Sequence, residues 1–161
     1  LTGDPDAPAV CAELGVPVIL MHMQGEPKTM QADPTYDDAA LDILAYMQDR
    51  IEALEVAGIP RARIAVDPGI GFGKNLDHNL RILSAIDVFH ELGVPVMLGA
   101  SRKSFISKID RDVPAKQRVA GSLAAVIAGY DRGVQLFRVH DVAETRQALA
   151  VWRAIEAAED I

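Results

Sequence analysis

Short apolar runs alternate along this chain with longer stretches in which apolar residues recur at helical spacing. The runs occupy residues 16–22, 63–68, 94–100 and 134–140, and Gly, Pro or charged residues bound each of them. Such runs are typical of parallel strands that are buried on both faces. Helical spacing is clear for Leu41, Leu44, Ile51 and Leu54. The pattern predicts four βα units in series.

Capping residues mark the predicted helix boundaries. Asp33 followed by Pro34 predicts a helix N-cap with proline in the first turn, and Asp141 with Glu144 predicts a capping box. Glycines predict where helices end, namely Gly58, Gly93 and Gly133. The run Glu-Leu-Gly-Val-Pro-Val occurs at residues 13–18 and 91–96, where it would carry a helix end into a strand. The units therefore resemble variants of one βα module.

Four parallel βα units are compatible with two α/β architectures. A small open sheet and one half of an eight-stranded barrel share the same order of strand, loop and helix, and local patterns do not separate them. No polar linker or low-complexity segment divides the 161 residues. We therefore expect a single domain over residues 1–161.

Composition and charge exclude several classes of protein. The formal net charge is −7, whereas general binding to nucleic acid or to a membrane surface needs clustered Lys and Arg, so neither partner is expected. The single cysteine, Cys11, cannot form an internal disulfide. We find no signal peptide and no apolar run of about 18 residues, which favours the cytoplasm. Because the sequence opens at Leu1 within a turn-like run, we expect a piece of a longer protein.

The polar residues that end the apolar runs are the candidates for chemistry. In parallel α/β folds the binding site gathers at the carboxyl ends of the strands. The four run ends are Leu20-Met21-His22, Val66-Asp67-Pro68, Gly99 to Lys103, and Arg138 to Asp141. A carboxylate, several cations and two imidazoles would therefore face one another.

Asp67 precedes a Pro-Gly-Ile-Gly-Phe-Gly-Lys loop at residues 68–74, whose glycines would let the backbone approach a ligand closely. An Asp that merely caps its own turn is the structural alternative. The loop is not a Walker A motif, because Asn75 stands where Ser or Thr is required, nor a G-x-G-x-x-G motif, because Lys74 replaces the third glycine. Both nucleotide-binding motifs are therefore rejected.

Two other run ends favour an anionic ligand. Residues 101–104, Ser-Arg-Lys-Ser, precede a potential helix at Phe105, so backbone N–H groups and two cations could bind an anion there. A solvated basic turn would have the same sequence. Arg138 and His140 alternate along a strand and would point to one side, where they could hold phosphate oxygens. A buried structural histidine is the alternative for His140.

The remaining strand-end residues predict no metal site made by this chain alone. His22 lies between Met21 and Met23 and is interpreted as structural. The histidines lack the spacing of metal ligands such as H-x-x-x-H. Met21 could instead form the wall of a pocket for a flat aromatic ring.

Taken together, these motifs resemble those of the dihydropteroate synthases. The matching segments, in the family's order, are residues 20–25, 27–31, 67–74, 99–106 and 138–141, with Ala120-Gly121-Ser122 before the last run. The resemblance extends from about Pro5 to about Ala157. It implies an eight-stranded (β/α)8 TIM barrel, of which this chain supplies the C-terminal half, strands five to eight with their helices. The N-terminal half of this pterin-binding domain would be absent.

The resemblance also implies an activity. Dihydropteroate synthases are transferases of folate biosynthesis that condense (7,8-dihydropterin-6-yl)methyl diphosphate with 4-aminobenzoate and release diphosphate, and they are sulfonamide targets. The family uses Mg²⁺, whose Asn ligand would lie in the missing half. A homodimer is implied for the full-length protein. This chain alone is expected to be inactive.

The resemblance assigns residues to the pterin. Asp67 would accept hydrogen bonds from the amino-pyrimidine edge, whose paired N–H donors suit a carboxylate. Met21, Gly71 and Phe72 would line the slot for the ring. Lys103 would lie on the carbonyl side of the pterin, between the two substrates.

The other substrate groups are assigned in the same way. Ser104, with the helix that follows it, would bind the carboxylate of 4-aminobenzoate. Arg138 and His140 would bind the diphosphate. Catalytic roles are thus implied for Lys103, Arg138 and His140, all of them electrostatic, because the reaction needs no side-chain nucleophile.

Two other functions stay open. A methyltransferase that acts on methyltetrahydrofolate would share an Asp in a similar pocket, although residues 101–104 and 138–140 fit the synthase better. A catalytically silent pterin-binding or assembly module is the second alternative, because half of the barrel would be missing. A turnover assay beside a pterin titration separates a silent module from an enzyme.

Overall fold

The computed structural model describes residues 3–158, in which six helices and four strands follow one another, with two helices rather than one between the third and fourth strands. The helices are α1 (Ala7–Leu14), α2 (Ala39–Val56), α3 (Leu76–Ser84), α4 (Ser104–Ile109), α5 (Val119–Asp131) and α6 (Val142–Glu156). The strands are β1 (Val18–Met21), β2 (Ile64–Asp67), β3 (Met97–Leu98) and β4 (Leu136–Phe137). Three 3₁₀ turns occupy Arg61–Arg63, Ile86–Leu92 and Ala115–Gln117.

The strands are parallel and follow one another in chain order. β1 pairs with β2 in a register that sets Met21 opposite Asp67. A parallel bridge between Val66 and Val96 connects β2 to the start of β3, and β3 pairs with β4. The prediction of four parallel βα units is confirmed, and the strands are shorter than the apolar runs. Their carboxyl ends all lie on one side.

The hydrophobic core lies between the strands and the helices that cover them. The buried face of α2 comprises Ile43, Met47, Ile51 and Leu54, whereas Leu41 is exposed. The predicted helix is therefore confirmed, but the predicted buried face was partly wrong. All four residues of β2 are buried, as predicted for a strand covered on both faces. β1 departs from that prediction, because Ile19 is 50% exposed.

Two predicted helix starts are corrected. α2 begins at Ala39 rather than after Asp33, because the Asp38 carboxylate accepts hydrogen bonds from the backbone N–H groups of Ala40 and Leu41. Residues 33–38 form a loop, in which the Gln24 side chain bonds both the N–H and the carbonyl of Thr35.

The second correction concerns α6, which starts after Asp141 as predicted but without a capping box. The Asp141 carboxylate binds Arg102 instead of the helix N–H groups. The glycines at 58, 93 and 133 all have the positive φ expected beyond helix ends. Within residues 3–158, no helix is both long and apolar enough to cross a membrane.

Candidate functional site

A single buried carboxylate lies at the centre of the strand-end rim. Asp67, the last residue of β2, is 1% exposed. Its Oδ1 accepts a hydrogen bond of 2.8 Å from the Gly69 N–H, so the turn-capping alternative is correct for this oxygen. Oδ2 is buried and makes no hydrogen bond within the described part of the chain. Burial raises the pKa of Asp67, and the Gly69 N–H and three nearby cations oppose that rise.

The glycine-rich loop after Asp67 is held close to β1. Gly69 has φ +74°, and a side chain there would collide with the carbonyl oxygen of His22. Gly71 donates its N–H to the Asn79 Oδ1 at 2.7 Å and accepts a hydrogen bond from the Gln31 side chain at 2.5 Å. The loop therefore presents backbone and the Phe72 ring at the rim in a fixed conformation.

Lys103 brings a cation to this loop. Its Nζ donates to the carbonyl of Ile70 and lies 4.5 Å from the centroid of the Phe72 ring. A Cβ on Gly71 would lie 3.3 Å from the Lys103 side chain, so the glycine gives the lysine room. Burial lowers the pKa of Lys103 to about 8, although the Asp67 carboxylate raises it and Arg138 lowers it further.

Arg138 and His140 follow β4 and border a hollow of about 240 Å³. The guanidinium of Arg138 is largely exposed, and one of its nitrogens lies 3.8 Å from Asp67 Oδ2, too far for a hydrogen bond. His140 is exposed, so it is not a core histidine. Its Nδ1 lies 3.0 Å from the Ser101 Oγ, which leaves Nε2 for a ligand. The hollow is thus cationic on one side.

A second hollow, of about 220 Å³, lies on the other side of Lys103. Its lining includes Gly71, Asn79 and Ser104, which is exposed at the first residue of α4. Since Lys103 lines both hollows, it lies between them. Residues 101–104 are only partly the solvated basic turn that was the alternative, because Ser101 is buried and Arg102 and Lys103 are half-buried.

Arg102 holds the backbone of residues 101–104 in place and has a left-handed φ of 58°. Its N–H donates to the Ser122 Oγ at 2.8 Å, its carbonyl accepts from Arg118, and its guanidinium forms a two-pronged ion pair with Asp141. These bonds orient the Lys103 that follows. Sequence reasoning missed this role, because neither the left-handed conformation of Arg102 nor its distant partners can be read from the sequence.

Sequence reasoning also missed Lys74, which ends the glycine-rich loop. Its ammonium lies 2.9 Å from His22 Nδ1 and donates to the Phe72 carbonyl at 2.9 Å. Burial lowers the pKa of Lys74 to about 7, and the pKa of His22 falls to about 3 because of burial and the nearby Lys74. The structural interpretation of His22 fits this buried position. In the sequence, a lysine at the end of an otherwise apolar loop could have indicated that this residue has a specific role.

The predicted site residues therefore occupy one continuous rim. Met21 lies opposite Asp67 in the neighbouring strand, and Ser104 and His140 each border one of the two hollows. The other predicted residues lie close together between these hollows, namely Asp67, Gly71, Phe72, Lys103 and Arg138. Among residues 3–158, no cluster of three or more His, Cys, Asp or Glu side chains could hold a metal ion. The arrangement is suited to a flat hydrogen-bonding ligand flanked by anionic groups.

A parallel βα sheet with such a rim belongs to the class of α/β proteins that bind small molecules at the carboxyl ends of their strands. Comparison with known proteins narrows the class. The family described as "Pterin binding enzyme" matches residues 1–140. The chain belongs to the pterin binding enzyme family.

Curated and solved relatives agree with this assignment. The chain is 43% identical over 157 residues to the dihydropteroate synthase of Escherichia coli strain K12, covering 98% of this chain and 55% of the relative. The Yersinia pestis dihydropteroate synthase, solved as a sulfonamide drug complex, matches with a TM-score of 0.91 and 43% identity, covering 96% of this chain and 56% of that one.

A third relative was solved with a product in place. The Xanthomonas albilineans dihydropteroate synthase in complex with 7,8-dihydropteroate matches with a TM-score of 0.88 and 44% identity, covering 96% of this chain and 56% of that one. The chain thus spans about half the length of the relatives it matches. Of the two architectures left open by the sequence, the comparison favours the half barrel, because the fold matches part of a larger TIM barrel.

Proposed function

We propose that this chain forms the C-terminal half of a dihydropteroate synthase site. In this role it would help to join (7,8-dihydropterin-6-yl)methyl diphosphate to 4-aminobenzoate. The observation that carries the proposal is the Asp67 Oδ2, a buried carboxylate oxygen with no hydrogen-bond partner in residues 3–158. An orphaned buried acceptor calls for a ligand with N–H donors. The amino-pyrimidine edge of a pterin supplies them.

The pterin ring would lie against the glycine-rich loop. Asp67 accepts from its N–H groups, Met21 lies alongside in the neighbouring strand, and Gly71 offers backbone without a side chain. Lys103, fixed against the Phe72 ring, faces the pterin carbonyl. A flat ring between backbone and an aromatic side chain keeps one orientation, which directs its exocyclic CH₂ toward the rim.

The diphosphate would occupy the hollow beside Arg138 and His140. Ser101 holds His140 at Nδ1, so Nε2 is available to donate to a phosphate oxygen. The carboxylate of 4-aminobenzoate would bind near Ser104 in the second hollow. Lys103, which lies between the hollows, then contacts both substrates.

The reaction would proceed by substitution at the exocyclic carbon. The C–O bond to diphosphate breaks, the aniline nitrogen forms the new C–N bond, and that nitrogen loses one proton to solvent. Arg138, His140 and Lys103 stabilise the negative charge that develops on diphosphate. Mg²⁺, which the resemblance to the family implies, would supply further charge stabilisation when bound, and its Asn ligand is expected in the other half of the barrel.

We also propose that the complete protein is a cytoplasmic homodimer. A mostly apolar hollow of about 580 Å³ lies between α3, α4 and α5, and a second copy would cover it. Light scattering of the complete protein at micromolar concentration tests the dimer directly.

The function is tested with the chain preceded by the remaining part of the E. coli relative, a fusion called here the completed barrel. Isothermal titration with 6-hydroxymethylpterin should give saturable binding at one site per barrel. Absence of pterin binding by a folded completed barrel would refute the proposal. Binding without turnover would instead favour a silent pterin-binding module.

A further inference from the structure

Lys74 lines the second hollow, and yet its side chain is almost completely buried. Among residues 3–158 it is the one Lys or Arg in the buried class, with 2% exposure. Its Nζ contacts His22 Nδ1 and the Phe72 carbonyl, both at 2.9 Å, and lies 5.9 Å from the centroid of the Tyr36 ring. Burying a cation costs free energy unless it is paired and hydrogen-bonded. Lys74 makes two hydrogen bonds but no salt bridge within residues 3–158, so its burial calls for a role.

The geometry shows what this ammonium holds. The bond to Phe72 fixes the carbonyl of the residue whose ring lies beneath Lys103. The bond to His22 ties the end of the loop to β1, and His22 in turn donates its backbone N–H to the Asp67 carbonyl at 3.0 Å. One side chain thus connects the loop, β1 and the end of β2.

Electrostatics adds a second effect. Three cations lower the pKa of Asp67: Lys103 has the largest effect, Arg138 the next and Lys74 the smallest. The groups around Lys74 itself also include His22 and Tyr36. Arg138 is largely exposed to solvent, which weakens its influence. Lys74 is buried, so solvent screens its charge less. Because burial lowers its pKa to about 7, Lys74 carries this charge at acidic pH and loses it as the pH rises through 7.

We propose that Lys74 is a positioning residue for the pterin: through its bonds to His22 and Phe72 it fixes the loop at residues 68–74, and its charge adds to those of Lys103 and Arg138 around Asp67. This inference rests on the proposed pterin function. His22 is neutral in this arrangement and accepts at Nδ1, because an ammonium offers only donors; the imidazole proton is therefore on Nε2.

The test uses two variants of the completed barrel. Lys74→Met keeps most of the length of the side chain and removes its charge, and Lys74→Gln removes the charge but keeps a hydrogen-bond donor. Lys116→Met, at an exposed lysine, is the matched control. Pterin titrations are run from pH 4 to pH 8, with circular dichroism as the check on folding. Lys74→Met should weaken pterin binding by about tenfold or more, since two buried acceptors lose their donor.

The pH profile separates positioning from simple support of the fold. Without the Lys74 charge the pKa of Asp67 rises further, so binding should be lost at a higher pH on acidification in both Lys74 variants. Lys116→Met should behave as the unsubstituted protein. Unchanged affinity and an unchanged profile in folded Lys74 variants would overturn the inference, as would failure of both variants to fold. No binding by the unsubstituted barrel would refute the proposed function instead.

Discussion

Asp67→Asn is the substitution that tests the pterin pocket most sharply. The amide can keep the carbonyl oxygen where Oδ1 accepts the Gly69 N–H, so the turn is preserved. The NH₂ group then replaces Oδ2, the buried oxygen that makes no hydrogen bond in residues 3–158. A donor would face the N–H donors of the pterin. The change alters one atom and one charge at almost constant volume.

The magnitude follows from the burial of this group. A ligand N–H group left without an acceptor, together with the loss of a charge-assisted bond, costs about 2 kcal/mol or more. That is a loss of about 30-fold in pterin affinity. The stability of the unliganded protein should not fall in parallel. Because burial raises the pKa of Asp67, the ionised carboxyl opposes folding as the pH rises through that pKa, and the amide removes this effect.

The assay is a pterin titration of the completed barrel at pH 7, with thermal unfolding measured on the same samples. Asp112→Asn, at an exposed aspartate, is the matched control. We expect weaker binding with an unchanged or higher melting temperature only for Asp67→Asn. Unchanged affinity in that variant would show that Asp67 does not bind the pterin.

Three further predictions concern the anion site, the buried histidine and the chain by itself. Arg138→Ala should weaken binding of the pterin diphosphate far more than binding of the bare pterin in parallel titrations, and equal losses would exclude a phosphate role. His22, whose pKa is lowered from 6.5 to about 3, stabilises the fold above pH 6.5 and loses that contribution as the pH falls toward 3. His22→Asn should therefore flatten the pH dependence of the unfolding free energy between pH 6 and pH 4, measured with urea, and an unaltered slope would contradict the assignment. The 161-residue chain alone should show no measurable diphosphate release. Its outer strands expose Ile19 and Leu136, and it lacks several contacts that would stabilise the transition state by about 3 kcal/mol each. Turnover within tenfold of the completed barrel would contradict this prediction.

The fold was largely predictable from the sequence because its strands are continuous apolar runs ended by polar residues. β2 is buried along its whole length, and its last residue is the central carboxylate. The phase of α2 and the start at Ala39 were missed, since Asp33-Pro34 and Asp38 are both plausible caps. Only tertiary contacts, here those of Gln24 with Thr35, decide between them.

Site residues at the ends of strands could be predicted from the sequence, whereas residues whose side chains are buried or paired with distant elements could not. Asp67, Lys103 and Arg138 could be proposed from position alone. The burial of Lys74 and the ion pair of Arg102 with Asp141 depend on how loops cross between distant elements. Lys74 lies 52 residues from His22, and Arg102 lies 39 residues from Asp141, so no local sequence pattern could reveal these contacts.

The most direct test of the proposed function is product formation by the completed barrel. Pterin diphosphate, 4-aminobenzoate and Mg²⁺ are supplied, and diphosphate and dihydropteroate are quantified together, with the E. coli protein as the positive control. We predict that both products appear in equal amounts and that omission of 4-aminobenzoate abolishes dihydropteroate. A completed barrel that binds pterin and yet forms no dihydropteroate, under conditions where the E. coli protein does, would contradict the proposal that these strand ends form half of a synthase site.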